Sequence, residues 1–345
     1  LHVLTHSFPT RRSSDLEATL KDGCLIGRGV QDDKGPSLAA LYAVKSLLDQ
    51  GEVFTKRVRF IFCTDEETLW RCMNRYNQIE EKADLGFAPD SSFPLTYAEK
   101  GLLQVKLHGP GWEDRPLQAG HALNVVPDKA TYSGQRLEEL LPVIEQSGVN
   151  YTEELGAVTV LGLSKHSKDA AEGVNAIVGL AESLSLIQPH PALLFIADAV
   201  GEDATGGALF GEIKDEPSGT LSFNIATLSI DDERSEIGID IRIPVLADKD
   251  ALVERLIELA SSYQLGYEEF DYLAPLYVPL DSPLVSTLMA VYQEETGDLT
   301  PAMSSGGATF ARTMENCVAY GALFPGALQT EHQANERAKL EDLYD

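Results

Sequence analysis

Three acidic sites stand where apolar segments of this 345-residue chain come to an end. They are Asp32 in Gln31-Asp32-Asp33, the pair Glu66–Glu67 in Thr64-Asp65-Glu66-Glu67, and Asp90 in Ala88-Pro89-Asp90. In an open α/β sheet the C-terminal strand ends converge on one crevice, where ligands bind. Carboxylates delivered there repel one another unless a cation sits among them. Two divalent metals bridged by a carboxylate and a water resolve that repulsion, and they also make a hydrolytic nucleophile. The plainer alternative is local: Asp32 or Asp33 as a helix N-cap, and Glu66–Glu67 in a first helical turn.

The elements needed to place these groups can be read from the pattern. Pro36 suits the first turn of a helix running to about Gln50, with Leu38, Leu41, Val44, Leu47 and Leu48 on its apolar face and Gly51 as terminator. Arg57–Thr64 is a near-continuous apolar run, as buried parallel strands are, and it ends in Asp65-Glu66-Glu67. A helical stretch at Leu69–Glu81 and a short strand at Leu85–Ala88 complete a strand–helix–strand alternation. Beyond Gly101 the character changes. Leu102–Leu107, Gly156–Leu163, Thr220–Ile230 and Glu236–Pro244 read as strands, interleaved with helices such as Asn175–Leu186 and Asp250–Ser262. From about Pro275 the α/β pattern returns, with a helix at Pro283–Glu295, a Gly-rich turn at Ser304–Gly307 and a strand at Cys317–Phe324. The expected fold is an α/β domain, with a mainly parallel sheet and flanking helices, formed by 17–100 and 275–345. An α+β domain, 101–274, is inserted into it.

Composition narrows the function. Acidic residues number 54 against 27 basic, a formal charge of −27. Such a surface repels phosphate backbones and anionic lipid, which argues against nucleic-acid and membrane partners. The cysteines, Cys24, Cys63, Cys72 and Cys317, have no C-x-x-C spacing, so neither a disulfide scaffold nor a thiolate zinc site is expected, and a reducing cytoplasm suits them.

The acidic motifs, taken in order with their neighbours, resemble a known family. Gly27-Arg28-Gly29-Val30-Gln31-Asp32-Asp33-Lys34-Gly35-Pro36, Thr64-Asp65-Glu66-Glu67 and Gly86-Phe87-Ala88-Pro89-Asp90 are similar to segments of the di-zinc amidohydrolases and peptidases related to carboxypeptidase G, the desuccinylases and the aminoacylases. Asp rather than Glu in Ala88-Pro89-Asp90, with Glu99-Lys100-Gly101, resembles the bacterial PepV-type dipeptidases. The likeness continues through Asn124–Pro127, Ser164–His166 with Gly173–Ala176, Ile239–Arg242, Gly306–Thr309 with Ala311-Arg312, and Glu331–Glu336.

That resemblance implies a zinc-dependent dipeptidase holding two Zn²⁺, with Mn²⁺ or Co²⁺ tolerated by the mixed carboxylate–imidazole set. Asp32 would bridge the metals, Glu67 and Asp90 would each bind one, and His332 would complete the second site. Glu66 would be the general base. The resemblance also implies a cis Asp32–Asp33 peptide and a short peptide as substrate, and a cytoplasmic monomer is expected. An N-acyl amino acid deacylase or desuccinylase of the same superfamily is the alternative activity.

One departure stands out. The family takes a further ligand from an H-x-D motif upstream of the Gly-Arg-Gly segment, and neither His2-Val3-Leu4 nor His6-Ser7-Phe8 has that form. Residues 1–16 are basic and Ser-rich. Ser7–Leu16 reads as a translated sequencing adapter, with a transit peptide as the rival reading, so native sequence is expected to start near Glu17. The pattern at Asn335–Asp345, read as the start of a helix, stops mid-way. The chain as written is therefore expected to be incomplete at both ends and inactive or weakly active, and a non-catalytic remnant is a further alternative.

Substrate-facing groups are expected in the insertion. Ile237, Ile239, Ile241 and Ile243 alternate, so Asp240 and Arg242 point to the other face of their strand. Arg242 is either a solvated surface residue or a fork-shaped donor for a substrate carboxylate. His166, in a Ser/Lys/Asp loop, reads from pattern alone as solvated. The resemblance makes it the group that polarises the scissile carbonyl, assisted by Asn124. Gly306 and Gly307 are either an ordinary turn or backbone donors to a carboxylate. His108, His121 and His190 are read as structural.

Overall fold

The computed structural model describes residues 17–64, 66 and 70–344. They form two compact units: one holds the described residues up to Glu99 together with Leu276 onward, the other Lys100–Pro275. Among the described residues no helix is long and apolar enough to cross a membrane.

In the first unit, strand Cys24–Ile26 lies antiparallel between Thr19–Lys21 and Arg337–Lys339, which brings the two ends of this unit's sequence together. The loop leaving Ile26 runs directly into helix Lys34–Asp49. Gly35 is required there, because a Cβ would stand 2.2 Å from the carbonyl oxygen of Val30. The peptide Asp32–Asp33 is cis, as expected. A second sheet joins Gly86–Ala88 in parallel to Cys317–Ala319, and Thr96–Glu99 in parallel to Met303–Ser305 and antiparallel to Leu276–Tyr277. Ala88, Ala98, Cys317, Val318 and Ala319 are buried in it.

Three expectations fail in this unit. Among the described residues no strand forms over 57–64; Ile61 makes only an isolated bridge. Cys63 is buried while Phe62 is exposed, and a run without a continuous neighbour cannot pair its backbone groups along its length. Cys317–Phe324 is not one strand but two short ones, Cys317–Ala319 and Ala322–Leu323. Between them Gly321 has φ +76°, and a Cβ there would meet the ring of Phe93 at 2.6 Å. The helix read from Asn335 begins only at Leu340, because Arg337–Lys339 is taken up as a strand beside Cys24–Ile26.

The second unit is built on an antiparallel sheet in the order Gly266–Leu273, Gly101–Pro110, Arg234–Ile243, Ser222–Ile230, Leu117–Ala119. Its core unites Leu103, Val105 and Leu107 with Phe223, Ile225, Ile237, Ile239 and Ile241, and with Leu180 and Leu184 of helix Ala176–Ile187. Asn175 caps that helix, accepting from the N–H groups of Ile177 and Val178. The isoleucine alternation is present, yet the opposite face of the same strand is buried as well, including Asp240 and Arg242.

Candidate active-site residues

Asp32 and His332 meet in the first unit, with Asp32 Oδ2 2.8 Å from His332 Nε2. Neither caps a helix: the N-cap position of Lys34–Asp49 is Asp33, whose carboxylate makes no capping bond and instead accepts from Ser37 Oγ at 2.9 Å. The His332 side chain is 61% exposed and that of Asp32 20%, so the pair opens to solvent. The loops beneath it are closely bonded. Glu336, with its carboxylate buried, accepts from the backbone N–H groups of Gly29, Gln31 and Asp32 at 2.9, 2.9 and 3.0 Å, and pairs with Arg28 at 2.9 Å. The turn at Gly29, φ +84°, is one that glycine adopts freely and that points successive N–H groups inward.

The other proposed acidic residues are placed less completely. Asp90 follows the strand Gly86–Ala88 and is half-buried, as is Glu66, whose carbonyl accepts from the Trp70 indole N–H. Glu67 lies outside the described residues, as do His2 and His6. Among the described residues no three His, Cys, Asp or Glu side chains stand close enough to hold a metal.

In the second unit Asn124, His166 and Arg242 are organised around the sheet. A bridge between Val125 and His166, with Ser167 N–H donating to Asn124 O at 2.9 Å, ties their loops together. Buried Asn224 donates to Val125 O at 2.9 Å and Ser167 Oγ at 2.8 Å. The strand register sets Asn224 opposite Asp240 and Ser222 opposite Arg242. Asp240 takes Arg242 Nε at 2.6 Å and Nη2 at 3.0 Å, so the guanidinium is a buried, oriented fork rather than a solvated surface charge. His166 Nδ1 accepts from Lys168 N–H at 3.1 Å, which leaves the ring proton on Nε2. Protein packed behind the ring, with Arg242 and Lys168 alongside, holds this imidazole down at about 4, although the residue keeps an open surface. At neutral pH it is an uncharged N–H donor. His190 is structural as expected: it caps the turn at Ala192 and bonds Pro110 O at 3.0 Å.

Residues 8–345 match the family described as peptidase family M20/M25/M40. The chain belongs to that family. It is a hydrolase acting on peptide bonds. It is 36% identical over 355 residues to the protein named "Putative dipeptidase YtjP" of Bacillus subtilis (strain 168), covering 96% of this chain and 76% of that protein. It is 30% identical over 357 residues, with the same coverage, to "Putative dipeptidase MW1694" of Staphylococcus aureus (strain MW2). Solved structures share the fold at lower identity. The M20 family metallo-carboxypeptidase Sso-CP2 of Sulfolobus solfataricus has a TM-score of 0.55 at 16% identity, covering 99% of this chain and 81% of that one. Human carnosine dipeptidase 1 has a TM-score of 0.53 at 15% identity, covering 99% and 76%.

M20 peptidases generally use a divalent metal, usually zinc. Asp32 and His332 fit such an ion: a carboxylate and an imidazole converge within hydrogen-bond distance and face solvent. Beside them Glu331 Oε2 is buried without a hydrogen-bond partner, and a buried carboxylate oxygen left so is costly unless a cation is near.

Gly306 and Gly307 of this family member follow strand Met303–Ser305. Gly307 N–H is already bonded to Ser305 Oγ at 2.9 Å, and Gly307 O accepts from Arg312 at 2.8 Å. Arg312 is in turn paired at 3.0 Å with buried Glu99, which also accepts from Thr309 Oγ1 at 2.6 Å. Sequence reasoning missed the anchoring roles of Glu336, Gln31, Asn224 and Glu99. The available signal was weak: Glu336 falls four residues after His332, Gln31 and Glu99 stand inside motifs already singled out, and Asn224 lies within an expected strand.

Proposed function

We propose that this M20 peptidase is a zinc-dependent dipeptidase whose metal is held by Asp32, Glu67, Asp90 and His332. The observation that carries the reading is the Asp32–His332 pair, closed at 2.8 Å by loops far apart in sequence. The two relatives named as dipeptidases, each matched over 96% of this chain, support the substrate class. Bound there, a divalent ion supplies Lewis acidity and makes water a competent nucleophile near neutral pH. Two Zn²⁺ are proposed for the intact protein, with Mn²⁺ or Co²⁺ as substitutes.

The chain's own groups do the rest. Glu66 takes the proton from the attacking water and delivers it to the leaving amine nitrogen as the C–N bond breaks. Neutral His166 donates its Nε2–H to a carbonyl oxygen that gains negative charge, with Asn124 assisting. Arg242, oriented by Asp240, binds the substrate's terminal carboxylate, and Gly306 and Gly307, in the turn after Met303–Ser305, are the further substrate-binding residues of this reading. Residues 101–274 act as the substrate-binding insert of a catalytic domain formed by 17–100 and 275–345. The protein is proposed to work as a cytoplasmic monomer.

The test is a panel of free dipeptides against N-acyl amino acids, each assayed with zinc and after chelation. Zinc-restored cleavage of dipeptides, even at a low rate, is the expected result. Preference for N-acyl amino acids would move the protein to the deacylases, and absence of both activities would favour a remnant.

A further inference from the structure

Segments about 300 residues apart in sequence are locked together by two side chains that contribute to each other's loops. Glu336 reaches into the loop of Asp32. Its Oε2 accepts from Gly29 N–H and Arg28, and its Oε1 from the N–H groups of Gln31 and Asp32. Gln31 reaches the opposite way. Its Oε1 accepts from Thr330 N–H at 2.7 Å, Glu331 N–H at 3.0 Å and Thr330 Oγ1 at 3.1 Å, while its Nε2 donates to Leu328 O at 2.9 Å. Gly27 N–H to Glu336 O at 2.9 Å and Arg28 to Gln333 O at 3.0 Å close the same seam.

These bonds act on the two residues that meet at its mouth. Asp32 is held by its own N–H, and His332 directly follows a residue whose N–H is held. A carboxylate accepting several backbone N–H groups is a strong, charge-assisted anchor. Groups that orient a ligand without touching the metal commonly govern affinity, and their loss costs about 10–100-fold.

We infer that Glu336 and Gln31 are positioning residues: a reciprocal latch that sets the Asp32–His332 separation before any metal arrives. The inference rests on the metal site of the proposed function and adds the device that preorganises it. Neither residue is a ligand. Glu336 has both oxygens engaged by the loop, and Gln31 presents a carboxamide already bonded on both sides.

The experiment uses Glu336→Gln and Gln31→Ala in the full chain. Glu336→Gln keeps size but puts an NH₂ against N–H groups that need an acceptor. Gln31 is half-buried, so Gln31→Ala supplies a folded variant if the first fails to fold. Zinc affinity is read by competition with a chromophoric chelator, and kcat and KM are read separately on one dipeptide. The latch predicts zinc affinity lower by about 10–100-fold, kcat reduced, KM changed less than kcat, and an unchanged far-UV circular dichroism spectrum. Wild-type zinc affinity in a folded variant overturns the latch, whatever happens to its thermal stability. Failure of the unsubstituted protein to bind zinc is a different outcome: it overturns the metal reading, and the latch falls with it.

Discussion

In the Lys100–Pro275 unit the groups of interest sit on regular structure. Arg242 and Asp240 lie on a ten-residue strand, between two neighbours, above a continuous apolar core. In the other unit Asp32 and His332 sit on loops whose shape comes from side-chain-to-backbone hydrogen bonds rather than from packing. Apolar residues are also distributed differently there. Leu38, Leu47 and Leu48 of helix Lys34–Asp49 and Phe62 are all exposed. Core-mounted charges are placed by everything around them and are costly to disturb. Loop-mounted ones depend on a few named bonds and leave the fold nearly indifferent to their loss.

Five substitutions probe that contrast, beginning with the largest effect. Glu66→Gln should keep zinc but lower kcat by about 10²–10⁴-fold, because the amide cannot relay the proton. Stopped or steady-state dipeptide hydrolysis checks this, and near-normal turnover would remove Glu66 from the mechanism. Asp240→Ala removes the carboxylate that pairs with the buried Arg242 guanidinium and should destabilise the inserted unit by roughly 3–5 kcal/mol in urea unfolding. Asp32→Ala, by contrast, breaks only a solvent-facing pair and should cost less than about 1 kcal/mol of stability; similar losses for the two would erase the contrast. Ile239→Ala should cost about 2–5 kcal/mol, while exposed Leu48→Ala should stay within roughly 1 kcal/mol.

A further prediction concerns pH. His166 titrates at about 4 in the folded unit, below the ordinary histidine value of 6.5. Between these values the unfolded chain binds the extra proton, so stability is complete above pH 6.5 and declines as pH falls toward 4. His166→Gln should flatten that segment of the pH–stability curve. An unaltered slope would show that the ring is not held neutral by its surroundings.

Periodicity made the inserted unit legible. The strands at Gly101–Pro110, Ser222–Ile230 and Arg234–Ile243, and the capped helix after Asn175, carry local signals that the sheet then uses. Burial of Arg242 was not legible, because a polar residue at an alternating position looks the same whether its face meets water or an aspartate. The Arg57–Thr64 run misled for a related reason, since an apolar run states what could be buried but not whether a neighbouring strand is present. At the candidate site Asp32 was readable as an acid where an apolar segment ends and His332 only through the family resemblance, whereas Glu336 and Gln31 act over a separation that no local pattern encodes.

Zinc binding by the unsubstituted protein and by His332→Ala, measured in the same competition assay alongside dipeptide hydrolysis, tests the central claim most directly. Removing a ligand should exceed the 10–100-fold cost of disturbing its supports, so the variant should lose more than about 100-fold in affinity, and hydrolysis should fall with it. Zinc affinity and hydrolysis both unchanged in His332→Ala would contradict a catalytic metal held by the Asp32–His332 pair.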